Sequence, residues 1–251
     1  MAKKQQKPAL LIVEQPWWQL SEKPCQESVL PYLQGLAKRV DCETYYASFF
    51  DLASLRTSLA HLAEAGVNHT GGETYLYIAG HGSGRRLGGG EGRSINVASL
   101  IIELKVLAGL LQQFGAPLTG VIIGSCELGR NDIDWAVAMQ GTSLRWIVGY
   151  RYSVGWFTST QVDLALLHAA LQKGGIMTTD GKWQMLSDFR HALSLFSPNY
   201  RIHHRINEHG NTVSSANLRE TLVIVGQPAG SGQRPVVWDG NDIWLEEPSL
   251  D

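Results

Sequence analysis

The chain has 251 residues, 44% of them hydrophobic, and a formal net charge of -2. That length suffices to bury one sizeable core, since domains usually span about 100–200 residues. The near-neutral charge, with its basic residues scattered, argues against a nucleic-acid partner, which ordinarily shows as a basic excess or stripe.

The first eight residues, with the basic stretch MAKKQQK, read as a flexible N-terminus. ALLIV at 9–13 is a short continuous apolar run that suits a strand buried on both faces. A helix is expected around VLPYLQGLAKRV, then a strand in CETYYASFF, rich in aromatics. DLASLRTSLAHLAEAG reads as a helix capped by Asp51 and closed by Gly66. ETYLYIA at 73–79 is the next strand, and the glycine-rich GHGSGRRLGGGEGRS that follows reads as a loop. Residues 97–114 carry helical periodicity. LTGVIIG at 118–124 is a second buried strand, followed by SCELG. DIDWAVAMQ reads as a short helix capped by Asp132, LRWIVGY as a strand, and QVDLALLHAALQKGG as a helix ending on paired glycines. Beyond Gly175 a helix is expected near WQMLSDFRHALSLF and a strand at TLVIVG, residues 221–226. PVVWDGNDIWLEE reads as a hairpin, because Asp-Gly and Asn-Asp separate two apolar runs. The alternation predicts an α/β fold: a three-layer sandwich with a mostly parallel central sheet and helices on both faces. One domain is expected over 9–227, with a C-terminal β-hairpin extension over 228–251.

Three cysteines, Cys25, Cys42 and Cys126, show no repeated spacing and no disulfide framework. LLIV is too short for the core of a signal peptide, and no stretch approaches the roughly 18 apolar residues of a membrane helix. These features predict a soluble cytoplasmic protein with no membrane association. A buried cysteine is ordinarily a small hydrophobe, and Cys25 and Cys42 read that way.

His81 and Cys126 read differently, because each follows a predicted central strand. In an open parallel sheet, ligands bind at the carboxyl ends of the strands. The 45 residues between them leave room for one helical crossover. A free thiol is only a few per cent thiolate at neutral pH. A neighbouring imidazole can take its proton and pass it to a leaving amine, help worth about 10²–10⁴-fold. Gly82 and the backbone at Cys126 can bring N–H groups to a substrate carbonyl as an oxyanion hole. Gly80 and Gly124 carry no side chain to obstruct approach.

YLYIAGHGS, residues 75–83, and GVIIGSCELG, residues 120–129, resemble the two motifs of the caspase-like (clan CD) cysteine peptidases. The Ser-Cys-Glu-x-Gly turn is most similar to prokaryotic CHAT-domain and legumain-type members; the Gln before the Ala-Cys pair of caspases is absent. IVGYRYSVGWFTSTQVDLALLHAALQKGG and TLVIVGQP resemble later CHAT elements. The resemblance implies a caspase-like sandwich, a Cys126 nucleophile, a His81 base, an oxyanion hole from Gly82 and Cys126, and no cofactor. It implies a protein substrate, such as a pore-forming or regulatory effector, and an activating sensor protein, within a bacterial defence or programmed-death system. It also implies a substrate pocket drawn from Glu14–Trp18, Gly124–Ser125 and Tyr150–Trp156. There Arg151 could pair with an acidic side chain, and Glu14, Glu127 or Asp163 with a basic one. For each charge an ordinary solvated or capping role is an equal reading. Trp17, Trp18, Tyr150, Tyr152 and Trp156 wall a cleft or simply pack a core.

HHRINEH invites a metal reading, yet neither Cys-x-x-Cys nor His-Glu-x-x-His accompanies it. GHGSGRRLGGG lacks the Gly-Lys-Ser/Thr of a phosphate-binding loop, and Gly-x-Ser-x-Gly is absent around Ser125. Residues 83–93 are expected to form a mobile rim of the cleft. A non-catalytic scaffold and a small-acyl hydrolase using the same pair are the competing readings. Retention of both His81 and Cys126 argues against the scaffold.

Overall fold

The computed structural model describes residues 7–16, 28–68, 72–88, 93–172, 176, 181–206, 212–228 and 234–245, and the side chains of 203–206 and 212–215 lie outside the description. Residues 1–6 of the N-terminus, Trp17, Trp18, Cys25, the middle of the glycine-rich loop, the paired glycines after Lys173 and the last six residues fall outside it as well. Lys7 and Pro8 are held against the body. The Lys7 ammonium pairs with Asp41, and the Pro8 carbonyl accepts from the Glu43 N–H.

The chain opens with β1 (Ala9–Glu14), α1 (Leu30–Arg39), β2 (Glu43–Ser48), α2 (Leu52–Asn68) and β3 (Thr74–Ala79). All six residues of β1 and all six of β3 are buried, as strands covered on both faces must be. The Asp51 carboxylate accepts the Ser54 N–H at 2.8 Å and caps α2. Gly66 does not close that helix, which continues to Asn68. A Cβ there would lie 2.9 Å from Leu111 Cδ2, so Gly66 marks a close helix–helix contact instead.

The expected glycine-rich loop contains three two-residue strands, β4 (Gly82–Ser83), β5 (Arg86–Leu87) and β6 (Ile95–Asn96), paired antiparallel in that order. Then come α3 (Val97–Gln113), β7 (Leu118–Gly124), a 3₁₀ turn (Leu128–Asn131), α4 (Asp132–Met139) and β8 (Trp146–Tyr150). Asp132 is the first residue of α4 rather than its cap, and its other carboxylate oxygen faces Arg151. The next helix, α5 (Trp156–Leu171), starts five residues before the predicted Gln161, and α6 (Lys182–Ala192) follows.

The antiparallel pair β9 (Arg201–Ile206) and β10 (Thr212–Asn217) was not foreseen. After α7 (Leu218–Thr221) and β11 (Leu222–Gly226), the expected C-terminal hairpin takes another form: β12 (Val236–Asp239) followed by the helical turn α8 (Gly240–Ile243). The reason is capping chemistry. Asp239 accepts from the N–H groups of Asn241 and Asp242, and Asp242 accepts in return from the Asp239 N–H at 2.9 Å. That reciprocal box starts a helix where the sequence predicts a hairpin reversal. The strand β12 instead pairs antiparallel with β11 at the sheet edge.

The central sheet has seven strands in the order β12-β11-β8-β7-β3-β1-β2. The five from β2 to β8 run parallel, and β11 runs antiparallel to β8. Alternate side chains divide the core in two. Leu11, Val13, Leu76, Ile78, Val121 and Ile123 pack with α2, α3 and α4. Leu10, Ile12, Tyr75, Tyr77, Ile122 and Val148 pack on the other face with α1, α5 and α6. Each fully buried Leu, Ile or Val contributes about 1.5–3 kcal/mol before conformational entropy is charged against it. This is the mostly parallel three-layer α/β sandwich that the alternation predicted. Among the described residues, no helix is long and apolar enough to cross a membrane.

Candidate active site

The strands β3 and β7 are adjacent and parallel, with Ala79 in register with Gly124. His81 and Cys126 each lie two residues beyond that pair, at the carboxyl edge of the sheet. Neighbouring strands run about 4.8 Å apart, so the topology alone delivers both residues to one place. A cleft of about 340 Å³ opens there. The β3 side supplies Tyr77, Gly80 and His81, and the β7 side supplies Gly124 and Cys126. Val29 ahead of α1, then Ser153, Val154, Trp156, Ser159 and Thr160 around the start of α5, complete the lining.

Cys126 is half-buried. Its Sγ accepts from the Val154 N–H at 3.3 Å and faces the Val154 carbonyl at 3.7 Å. Burial pushes the thiol above its ordinary range; the contacts to Val154 pull the other way, and the nearby Glu127 charge adds to the rise. The turn after β3 touches the cysteine turn through backbone. A Cβ on Gly82 would lie 2.0 Å from the Cys126 carbonyl oxygen and 2.9 Å from its nitrogen. Only glycine fits at 82. A Cβ on Gly124 would lie 2.3 Å from the Tyr77 hydroxyl, so this phenol sits directly beneath the strand end.

The other residues singled out in the sequence, Trp156 aside, stand off the cleft. Glu14 is fully buried; it accepts from Ser28 Oγ at 2.7 Å, the Val29 N–H at 3.0 Å and the Tyr46 hydroxyl at 3.1 Å. It acts on the cleft only by fixing Val29. Ser125 is buried between the lining residues Gly124, which ends β7, and Cys126. Glu127 turns its carboxylate to the Gly84 N–H at 2.8 Å. Arg151 bridges Asp132 at 3.2 Å and Asp239 at 3.4 Å. Tyr152 is exposed, with the Arg130 guanidinium 5.1 Å above its ring. Asp163 is fully buried and accepts from Tyr77 at 2.7 Å and Tyr150 at 2.6 Å. Burial pushes its carboxyl up to about 7, against the pull of the two tyrosine hydrogen bonds.

Of the aromatic group, Trp156 lines the cleft and meets Tyr32 edge-on at 6.0 Å, whereas Tyr150 belongs to the core. Sequence reasoning missed Val29, Tyr77, Ser159 and Thr160 as lining residues. The strand-end rule applied to β8 would have found Ser159 and Thr160, had the helix start been set at Trp156. Among the described residues, no group of three or more His, Cys, Asp or Glu could hold a metal ion.

No protein-family model and no curated protein sequence matches the chain. Among solved structures it is similar to the X-ray structure of a secreted C11 cysteine protease from Bacteroides thetaiotaomicron in complex with an irreversible peptide inhibitor. The identity is 8% and the TM-score 0.44, over 88% of this chain and 66% of that one. The chain thus spans just under two thirds of that protein's length.

Proposed function

We propose that this chain is a caspase-like cysteine peptidase in which Cys126 is the nucleophile and His81 its base. The observation that carries the reading is the juxtaposition of the two residues, one step apart across the sheet and lining one cleft. In this reading His81 takes the Cys126 proton and the thiolate attacks the scissile carbonyl. The resulting oxyanion is met by the N–H groups of Gly82 and Cys126. Collapse breaks the C–N bond, and the imidazolium protonates the departing amine. Water, deprotonated by His81, then hydrolyses the thioester and returns the thiol. The desolvated thiol gives the imidazole its task, because burial alone keeps sulfur protonated at neutral pH.

The kinship with prokaryotic CHAT-domain peptidases rests on the two sequence motifs. With it go a partner protein as substrate, an activating sensor and a place in defence or programmed death. Cleavage of a peptide library, read by mass spectrometry, tests the reading. Cys126→Ala should reduce cleavage to background, and His81→Ala should slow it by about 10²–10⁴-fold. Undiminished cleavage by both variants would sink the assignment. Hydrolysis of small thioesters with no peptide cut would point to an acyl hydrolase instead.

A further inference from the structure

Two side chains of the cysteine turn reach across to the two backbone groups of one residue of the histidine turn, Gly84. The Glu127 carboxylate accepts the Gly84 N–H at 2.8 Å, and Asn131 Nδ2 donates to the Gly84 carbonyl at 2.9 Å. Gly84 itself has φ +56, and the His81 carbonyl is bound by the Gly88 N–H at 2.7 Å. Glu127 makes its contact from a left-handed conformation, φ 63, one of two such non-glycine residues among those described. A glutamate held there is strained, and such strain persists only where the surroundings impose it. Asn131 is 5% exposed and also donates to the Leu128 carbonyl, so its amide is fixed by the core side of the turn.

We propose that Glu127 and Asn131 form a latch that clamps the backbone of Gly84 on both sides of its Cα, and so holds the His81 turn in place against Cys126. Glu127 is then a positioning residue, and not part of a substrate pocket. Its charge lifts the Cys126 thiol, an effect opposed to nucleophilic catalysis. The hydrogen bond, not the charge, is what the site needs from it. The proposal deepens the reading of His81 and Cys126 as a dyad and rests on it for its catalytic consequence.

The variants follow from the backbone. Glu127→Gly removes the carboxylate while taking positive φ without strain, and Glu127→Gln keeps an acceptor without the charge. If Glu127→Gly does not fold, Glu127→Asn replaces it, since asparagine tolerates this region and is one methylene shorter. Hydrogen exchange of 82–88 in the whole chain reads the latch directly. Glu127→Gly should speed exchange of the Gly84 amide by about tenfold or more, and Glu127→Gln should stay near wild type. In peptide cleavage, kcat of Glu127→Gly should fall by about tenfold with KM little changed, and Glu127→Gln should restore it. The Cys126 alkylation profile of Glu127→Gln should shift toward lower pH, a change no purely structural role produces. Unchanged exchange in Glu127→Gly overturns the latch, as does equal loss in the Gly and Gln variants. Faster exchange with identical Cys126 alkylation in wild type and His81→Ala leaves the latch standing and overturns the dyad.

Discussion

The two turns that meet at the cleft are built on opposite plans. The turn after β7 is part of the core: Ser125, Leu128 and Asn131 are buried, Trp135 donates to the Leu128 carbonyl at 2.9 Å, and Gly129 lies flush on the Tyr150 backbone. The turn after β3 reaches the core through Leu87 and is otherwise largely exposed. His81, Ser83, Arg85 and Arg86 are exposed, and the turn is held by Glu127, Asn131 and the ion pair of Arg85 with Asp134. One turn supplies its own order and the other borrows it. Mutations of the buried residues of the first, Ser125, Leu128, Gly129 and Asn131, should therefore register as stability, and mutations in the second as activity.

The largest effect that could break this comparison comes from the two residues proposed to react, Cys126 and His81. Loss of Cys126 should abolish cleavage, whereas loss of His81 should leave a residue of activity about 10²–10⁴-fold below wild type. Both variants should melt close to wild type if neither residue carries the fold. The glycines sharpen the contrast. Gly82→Ala forces a Cβ to within 2.0 Å of the Cys126 carbonyl oxygen and must displace the exposed turn. We expect activity to drop by about 10²-fold at nearly unchanged melting temperature. Gly129→Ala would bring a Cβ to 2.7 Å from the Tyr150 carbonyl carbon, inside the core. It should cost about 1–3 kcal/mol in denaturant unfolding.

A smaller effect belongs to Asp163, which lies behind the cleft and accepts from the hydroxyl of the lining residue Tyr77. Burial raises the Asp163 carboxyl to about 7, well above the roughly 3.9 of an unfolded aspartate. The folded chain thus keeps a proton that the unfolded chain releases. This contribution to stability is fully present below about pH 4 and is lost as pH rises through about 7. Melting temperatures across that window should fall less steeply in Asp163→Asn than in wild type. The smallest effect is that of Arg85→Ala. Its partner pair is 70% and 36% exposed, and surface pairs of this kind contribute at most about 1 kcal/mol.

What the sequence disclosed follows the same division. Continuous apolar runs such as ALLIV and LTGVIIG announced the central strands, because burial on both faces leaves no polar position to blur them. His81, Gly82, Gly124 and Cys126 were legible as neighbours because strand ends in a parallel sheet converge. The pair β9 and β10 was hidden, since RIHHRI and TVSSAN carry no continuous apolar run. The C-terminal hairpin was misread because Asp239-Gly240 serves equally as a turn and as a helix cap. Glu127 and Asp163 read in the sequence equally as partners for a basic substrate side chain and as ordinary charges, because a carboxylate near a nucleophile looks available. Only the fold reveals that Gly84 claims one and two tyrosines claim the other.

The central claim is that His81 activates Cys126, and the alkylation rate of Cys126 against pH tests it most directly. Iodoacetamide labelling of the whole chain, read at Cys126 by peptide mass, separates this thiol from Cys42, which burial pushes up to about 12. The account predicts that His81→Ala slows labelling of Cys126 at pH 7 by about tenfold or more and moves the profile to higher pH. Superimposable profiles for wild type and His81→Ala would contradict it.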